Sequence, residues 1–99
     1  MELVSALHMT SHSISVIIPA YNAEKTIWRA LKSIENQTLL PNEVIVVDDC
    51  SSDGTLEKIK TFPTVKIISK QKNAGKSSAV YDGIKKSIGD IILLLDADL

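Results

Sequence analysis

Short β-branched runs alternate with segments of helical period along nearly the whole chain. That alternation restricts the fold to βαβ units around a parallel sheet. The first run, Ser13–Ile18, is expected to end at Pro19, whose ring removes a ladder donor. From Glu24 to about Gln37, Ile27, Trp28, Leu31 and Ile34 fall on one helical stripe. Asn22 is the expected N-cap, and Glu24 in the first turn complements the helix dipole. Pro41-Asn42 breaks the chain before a second strand, Glu43–Val47. Asp53-Gly54-Thr55 opens a short helix carrying Leu56 and Ile59, and Pro63 closes it ahead of strand Val65–Ile68. A third helix from about Lys76 sets Ala79, Val80, Gly83, Ile84 and Ile88 on one face, with Gly89 as its expected C-terminal stop. Ile91–Leu95 then reads as a buried fourth strand.

Right-handed crossovers leave few ways to arrange β-α-β-α-β-α-β. The expected fold is α/β: a Rossmann-like open sheet of four parallel strands in order 3-2-1-4, flanked by three helices. Such sheets bind ligands beyond the carboxyl ends of their strands, where the strand order reverses. Pro19-Ala20-Tyr21-Asn22 and Asp96-Ala97-Asp98 would then face each other across one crevice, with Asp48-Asp49 beside them.

Composition narrows the partners. A net charge of −1 with interleaved acids and bases leaves no electrostatic footprint for nucleic acid. An anionic ligand would have to be held locally, by a metal or by oriented amides. Cys50 is the single cysteine, which excludes an internal disulfide and fits a reducing, cytoplasmic compartment. No stretch approaches the roughly 20 apolar residues of a membrane span. Residues 1–13 lack the pattern of a signal peptide and read as a flexible arm preceding a domain over 14–99. His8 and His12 within that arm stand four apart and could share a metal if helical; a loose polar arm is the simpler account.

The chemistry-bearing residues cluster at the strand ends. Two carboxylates one residue apart, Asp96 and Asp98, repel each other, and a bound divalent cation relieves that repulsion. A solvated loop pair is the alternative. Asp49 follows a strand, and its carboxylate can accept an imide N–H from a nucleobase; the surrounding Asp48–Thr55 segment also reads as an acidic, helix-capping turn. Tyr21, directly after the first strand, is placed to stack on a base. Asn73-Ala74-Gly75-Lys76-Ser77 ends like a phosphate-binding loop, but Lys70 stands where the first glycine of a Walker motif belongs, so that class of NTPase is rejected. Helix N-terminal amides at Gly75 and the Lys76 ammonium could still attract a diphosphate, against a solvated first-turn lysine. Cys50 beside the acid pair is a poor nucleophile and reads as a small turn residue. Trp28 and Tyr81 read as packing residues.

Taken together, four ordered motifs resemble the family 2 glycosyltransferases of the GT-A fold. They are Val16–Asn22, Val46–Thr55, Asn73–Ala79, and Gly89-Asp90 leading to Leu95-Asp96-Ala97-Asp98. The resemblance covers nearly everything after residue 13. It implies a partial GT-A fold that binds a UDP- or GDP-sugar along the strand ends and transfers the sugar with inversion. By position, Pro19, Ala20 and Tyr21 would meet the base, Val47 would lie in its backbone neighbourhood, and Asp49 would read the base edge. Gly75 and Lys76 would serve the diphosphate, Asp96 and Ala97 would lie near ribose and diphosphate, and Asp96 and Asp98 would hold Mg²⁺ or Mn²⁺. Ala23, Cys50 and Tyr81 depart from the residues that many members carry there. The Gly-Lys-Ser-Ser-Ala-Val segment and the Asp-Ala-Asp-Leu ending are similar to those of polyprenol-phosphate sugar synthases.

The family's acceptor site and general base follow the Asp-x-Asp motif. No catalytic residue is therefore expected among these 99, and the general base is expected beyond Leu99. The expectation is a donor-binding part, inactive alone, of an enzyme of cell-envelope polysaccharide biosynthesis. Its acceptor would be a glycan or a lipid-linked molecule, with membrane association open for a longer protein. Two rivals are a non-catalytic fragment or a module that acts only through a partner chain, self-associating through an exposed sheet edge, and a sugar nucleotidyltransferase. The latter would want a Gly- and Arg-rich loop after strand one, which Pro19-Ala20-Tyr21-Asn22 is not.

Overall fold

The computed structural model describes residues 12–98. The strands are β1 (Ile14–Ala20), β2 (Glu43–Asp48), β3 (Lys66–Ser69) and β4 (Ile91–Leu94). They alternate with α1 (Ile27–Glu35), α2 (Thr55–Ile59) and α3 (Lys76–Lys86). All pairings are parallel, and the sheet order is β3-β2-β1-β4. The expected architecture and strand order hold. The metal pair considered for His8 and His12 lies partly outside the described residues; His12 Nδ1 itself stands 3.8 Å from Asp90 Oδ2. Leu99, beyond which the general base is expected, lies outside the described residues too. No helix among the described residues is long and apolar enough to cross a membrane.

The core has two layers, one on each face of the sheet. Val16, Ile18 and Val46 meet Ile27, Leu31 and Ile34 of α1 together with Ile59 and Phe62. On the other face Ile17, Ile45 and Val47 meet Ala79 of α3. Burying each of these larger aliphatic side chains contributes roughly 2 kcal/mol. α3 lies close to the sheet: a Cβ at Gly83 would fall 2.5 Å from Ile17 Cγ2.

Several local expectations give way. Pro19 does not end β1, which runs on to Ala20 with Pro19 in register with Val47. Leu95 N–H donates to Ile17 O and Asp49 N–H donates to Ala20 O, so the Pro19 nitrogen faces the β4 side, beyond that strand's last pairing. No ladder donor is missed there. The third helix ends at Lys86, and Ser87 beyond it is extended. Gly89 is not a left-handed cap; it lies against β1, where a Cβ would sit 2.5 Å from Ser15 Oγ. The expected apolar face of that helix is only half used. Ala79 and Gly83 are buried, whereas Ile84 is exposed and Ile88 is 78% exposed. β4 is likewise not buried: all four of its residues are exposed at the edge of the sheet.

A carboxylate closes the amino end of the sheet. Glu43, at the start of β2, is buried and accepts from Ser15 Oγ (2.5 Å), Lys66 Nζ (2.7 Å) and Ile88 N–H (2.7 Å). Gly89 N–H donates to the same Ser15 hydroxyl at 2.9 Å. One side chain thereby ties together β1, β2, β3 and the turn into β4. Burial pushes the Glu43 carboxyl upward, but bonds from Lys66, Ser15 and Ile88 outweigh it and lower its pKa to about 2.

Candidate functional site

At the opposite, carboxyl end, the loops after β1 and β2 are stitched together by side chain–backbone bonds. Asn22 takes a left-handed conformation (φ 49°), which asparagine tolerates better than most residues. Its Oδ1 accepts from Ser52 N–H at 2.8 Å, and its own N–H donates to Ser51 Oγ at 2.9 Å. Ser51 Oγ donates onward to Asp48 Oδ1 (2.5 Å). Ala23 N–H donates to Thr55 Oγ1 (2.8 Å), and Gly54 N–H donates to Glu24 Oε1 (3.2 Å). Asp53 accepts from Glu24 N–H (3.3 Å), Thr55 N–H (3.0 Å) and the Thr55 hydroxyl. Burial raises the Asp53 carboxyl, but the Thr55 hydroxyl, the Thr55 N–H and the Glu24 N–H hold it below the ordinary range.

These bonds correct the expected capping. Asn22 does not cap α1, which begins later, after Thr26. Asn22 and Glu24 instead join one loop to the other. The short polar side chains of Ser51, Ser52 and Thr55 form this seam, and their sequence signal is only that of an ordinary turn-rich segment.

The third loop is clamped from below. Asp49 is only 3% exposed, and its two carboxylate oxygens accept from Ala74 N–H (3.0 Å) and Gly75 N–H (2.8 Å). Asn73 Nδ2 donates to the Asp49 carbonyl (3.2 Å). Gly75 has φ +95°, a backbone region essentially restricted to glycine, so the turn into α3 depends on it. Lys70, at the base of this loop, reaches Ser78 Oγ (2.7 Å) and Asp82 Oδ2 (2.5 Å), fixing α3 beside the third strand. Lys76, the first residue of α3, extends to Asp96, with Nζ 3.0 Å from Oδ1.

The loops enclose a cavity of about 620 Å³. Pro19, Ala20, Tyr21, Asp49, Gly75, Lys76, Asp96, Ala97 and Asp98 all line it. Tyr21 is 53% exposed at its rim, and Ala97 is buried at its floor. Val47 is the predicted site residue that the fold does not bring there. It is wholly buried beneath α3 beside Ile17 and Ala79, in the core layer on that face of the sheet. Cys50 is exposed at φ 61°, and its thiol donates to Gln71 O (3.5 Å). Trp28 and Tyr81 lie on helix surfaces, against Arg29 and Lys85.

Among the described residues no cluster of three or more His, Cys, Asp or Glu side chains forms a metal cage. Asp96 and Asp98 are both exposed on the cavity wall, and Asp98 makes no hydrogen bond or ion pair among the described residues. Two accessible carboxylates suit a hard cation that takes one or two protein oxygens and completes its shell with water and phosphates.

Residues 15–99 match the model of the family described as Glycosyl transferase family 2. The chain belongs to that family. It is 41% identical over 90 residues to a dolichol-phosphate mannosyltransferase of Pyrococcus furiosus, covering 87% of this chain and 26% of the relative. Its fold superposes on S. aureus TarS in complex with UDP-GlcNAc with a TM-score of 0.82 and 34% identity, over 87% of this chain and 26% of that one. A mannosyltransferase from Pyrobaculum calidifontis in complex with GDP-Man and Mn²⁺ gives 0.78 and 30%, over 88% and 28%. The chain spans about a quarter of the length of these relatives.

Proposed function

We propose that residues 14–98 form the donor-binding part of an inverting glycosyltransferase that uses a UDP- or GDP-sugar. The observation that carries this reading is the convergence of the three loops and the Asp96–Asp98 turn on one cavity at the carboxyl ends of the strands. Tyr21 stacks on the base at the rim. Pro19 and Ala20 form the wall beneath it, and Asp49 offers its carboxylate to the base edge while holding the loop at 74–75. Gly75 lets the backbone approach the diphosphate, which Lys76 neutralises in part. Asp96 and Asp98 are the residues that would hold Mg²⁺ or Mn²⁺, a cation that supplies charge stabilisation to the departing nucleoside diphosphate.

In the reaction so assigned, an acceptor hydroxyl oxygen bonds to the anomeric carbon as the bond to the diphosphate oxygen breaks. The hydroxyl proton passes to a general base. We place that base and the acceptor site, for a glycan or lipid-linked acceptor, beyond Leu99, in the part of the longer relatives that this chain does not span. Residues 1–99 alone then bind donor without transferring sugar. The lone Cys50 supports a reducing, cytoplasmic setting.

Calorimetry with UDP and GDP in the presence of Mn²⁺ tests the reading. Binding by the wild type that falls at least tenfold in Asp98→Ala is expected; equal affinities would remove the metal role. A second reading rests on β4, whose apolar residues stand exposed along an edge that no strand pairs with among the described residues. Such an edge favours self-association of the 99-residue chain, and a strictly monomeric mass by light scattering would exclude it.

A further inference from the structure

The Lys76–Asp96 contact lies on the cavity lining and joins the residue assigned to the diphosphate to one assigned to the cation. We propose that Lys76 is an exchangeable counter-ion: it occupies Asp96 before a divalent cation arrives and moves to the diphosphate when one binds. This inference rests on the donor-site reading above.

Three observations lead to it. First, the root of Lys76 is fixed, since the buried Asp49 carboxylate holds the two preceding amides and Gly75 sets the turn. Its tip is not: the Lys76 and Asp96 side chains are 71% and 60% exposed. Second, Asp96 carries the ammonium on Oδ1, while the Asp98 carboxylate has no partner among the described residues. Lys76 therefore neutralises one of two neighbouring carboxylates and leaves the other available. Third, an ammonium and a divalent cation cannot share Asp96 without like-charge repulsion, so arrival of the cation favours release of Lys76. The released side chain carries a single point charge on a flexible four-carbon stem, which suits it to find a phosphate oxygen nearby.

Two consequences separate this from a passive surface pair. Without nucleotide, Lys76 competes with the cation and weakens its binding. With nucleotide, the cation frees Lys76 for the diphosphate, so each ligand strengthens the other, and reciprocity makes the two effects equal.

The test is a set of Mn²⁺ titrations, by calorimetry and by the electron paramagnetic resonance of free Mn²⁺. The proteins are wild type, Lys76→Met, Lys76→Arg and Asp98→Ala, each alone and with saturating UDP or GDP. Lys76→Met is expected to bind Mn²⁺ alone about two- to fivefold more tightly, the range for an exposed ion pair. Its nucleotide-induced gain in Mn²⁺ affinity is expected to shrink by a similar factor or more, and Lys76→Arg to restore wild-type behaviour. Unchanged or weaker Mn²⁺ binding in Lys76→Met, with binding still lost in Asp98→Ala, overturns the exchange and leaves the donor site standing. Equal Mn²⁺ binding by wild type and Asp98→Ala overturns the metal assignment and the exchange with it.

Discussion

The two ends of the sheet use carboxylates in opposite ways. At the amino end, Glu43 is buried and receives a hydroxyl, an ammonium and a backbone N–H. At the carboxyl end, Asp96 and Asp98 stand exposed on a cavity wall; among the described residues only one oxygen between them is engaged, by a lysine side chain that is itself exposed. A saturated buried carboxylate holds structure together. A pair of accessible, poorly neutralised ones has coordination capacity left for a ligand. Asp49 combines the two: it lines the cavity, yet both of its oxygens hold the 74–75 loop.

The largest effect expected from this contrast is on stability, at the amino end. Glu43→Ala leaves a buried hydroxyl and a backbone N–H without their acceptor and should cost about 3 kcal/mol in urea unfolding. A cost under about 1 kcal/mol would mean that the clasp is replaceable by water. The pH dependence follows from the same residue. Its folded pKa lies near 2 against an ordinary 4.5, so the unfolded chain binds the proton more readily. The stability it contributes is complete above about pH 5 and is lost as the pH falls from 4.5 toward 2. Acid unfolding of Glu43→Gln should show a shallower slope through that window.

Asp49→Asn comes next. An amide offers one acceptor and turns two donors toward the amides of Ala74 and Gly75, so about 2 kcal/mol should be lost. Nucleotide binding should weaken with it, because the loop that presents Gly75 and Lys76 is released. Gly75→Ala, forced into φ +95°, should cost about 1–3 kcal/mol through backbone strain alone. Asp98→Ala should be the mildest for stability, within about 0.5 kcal/mol, as for an exposed residue without a partner among the described residues. Its melting temperature should match wild type while its Mn²⁺-dependent nucleotide binding collapses.

The parts of this arrangement that depend on chain pattern were legible without coordinates. Apolar periodicity located all seven elements, and crossover handedness narrowed the strand orders to a few, among them the observed 3-2-1-4 with its crevice. Properties that depend on what lies opposite a residue were not. Val47 reads like any strand residue near the motif, yet it stops one residue short of the end of β2 and packs under α3 with Ile17 and Ala79. Ile84, Ile88 and Ile91–Leu94 carry the composition of a core, yet they stand exposed among the described residues. Pro19 reads as a strand breaker until the early end of β4 removes any need for its N–H. The Glu43 clasp is invisible for the same reason, since Ser15, Lys66 and Ile88 lie 28, 23 and 45 residues away from it along the chain.

The most direct test of a holding end and a binding end is paramagnetic broadening in solution. Substoichiometric Mn²⁺ with UDP or GDP, added to isotopically labelled protein, should broaden the amide resonances of Tyr21, Gly75, Lys76, Asp96 and Asp98. Those of Ser15, Glu43, Lys66 and Ile88, at the far end of the sheet, should stay sharp. Broadening centred on Glu43, or spread evenly over both ends, would contradict the account.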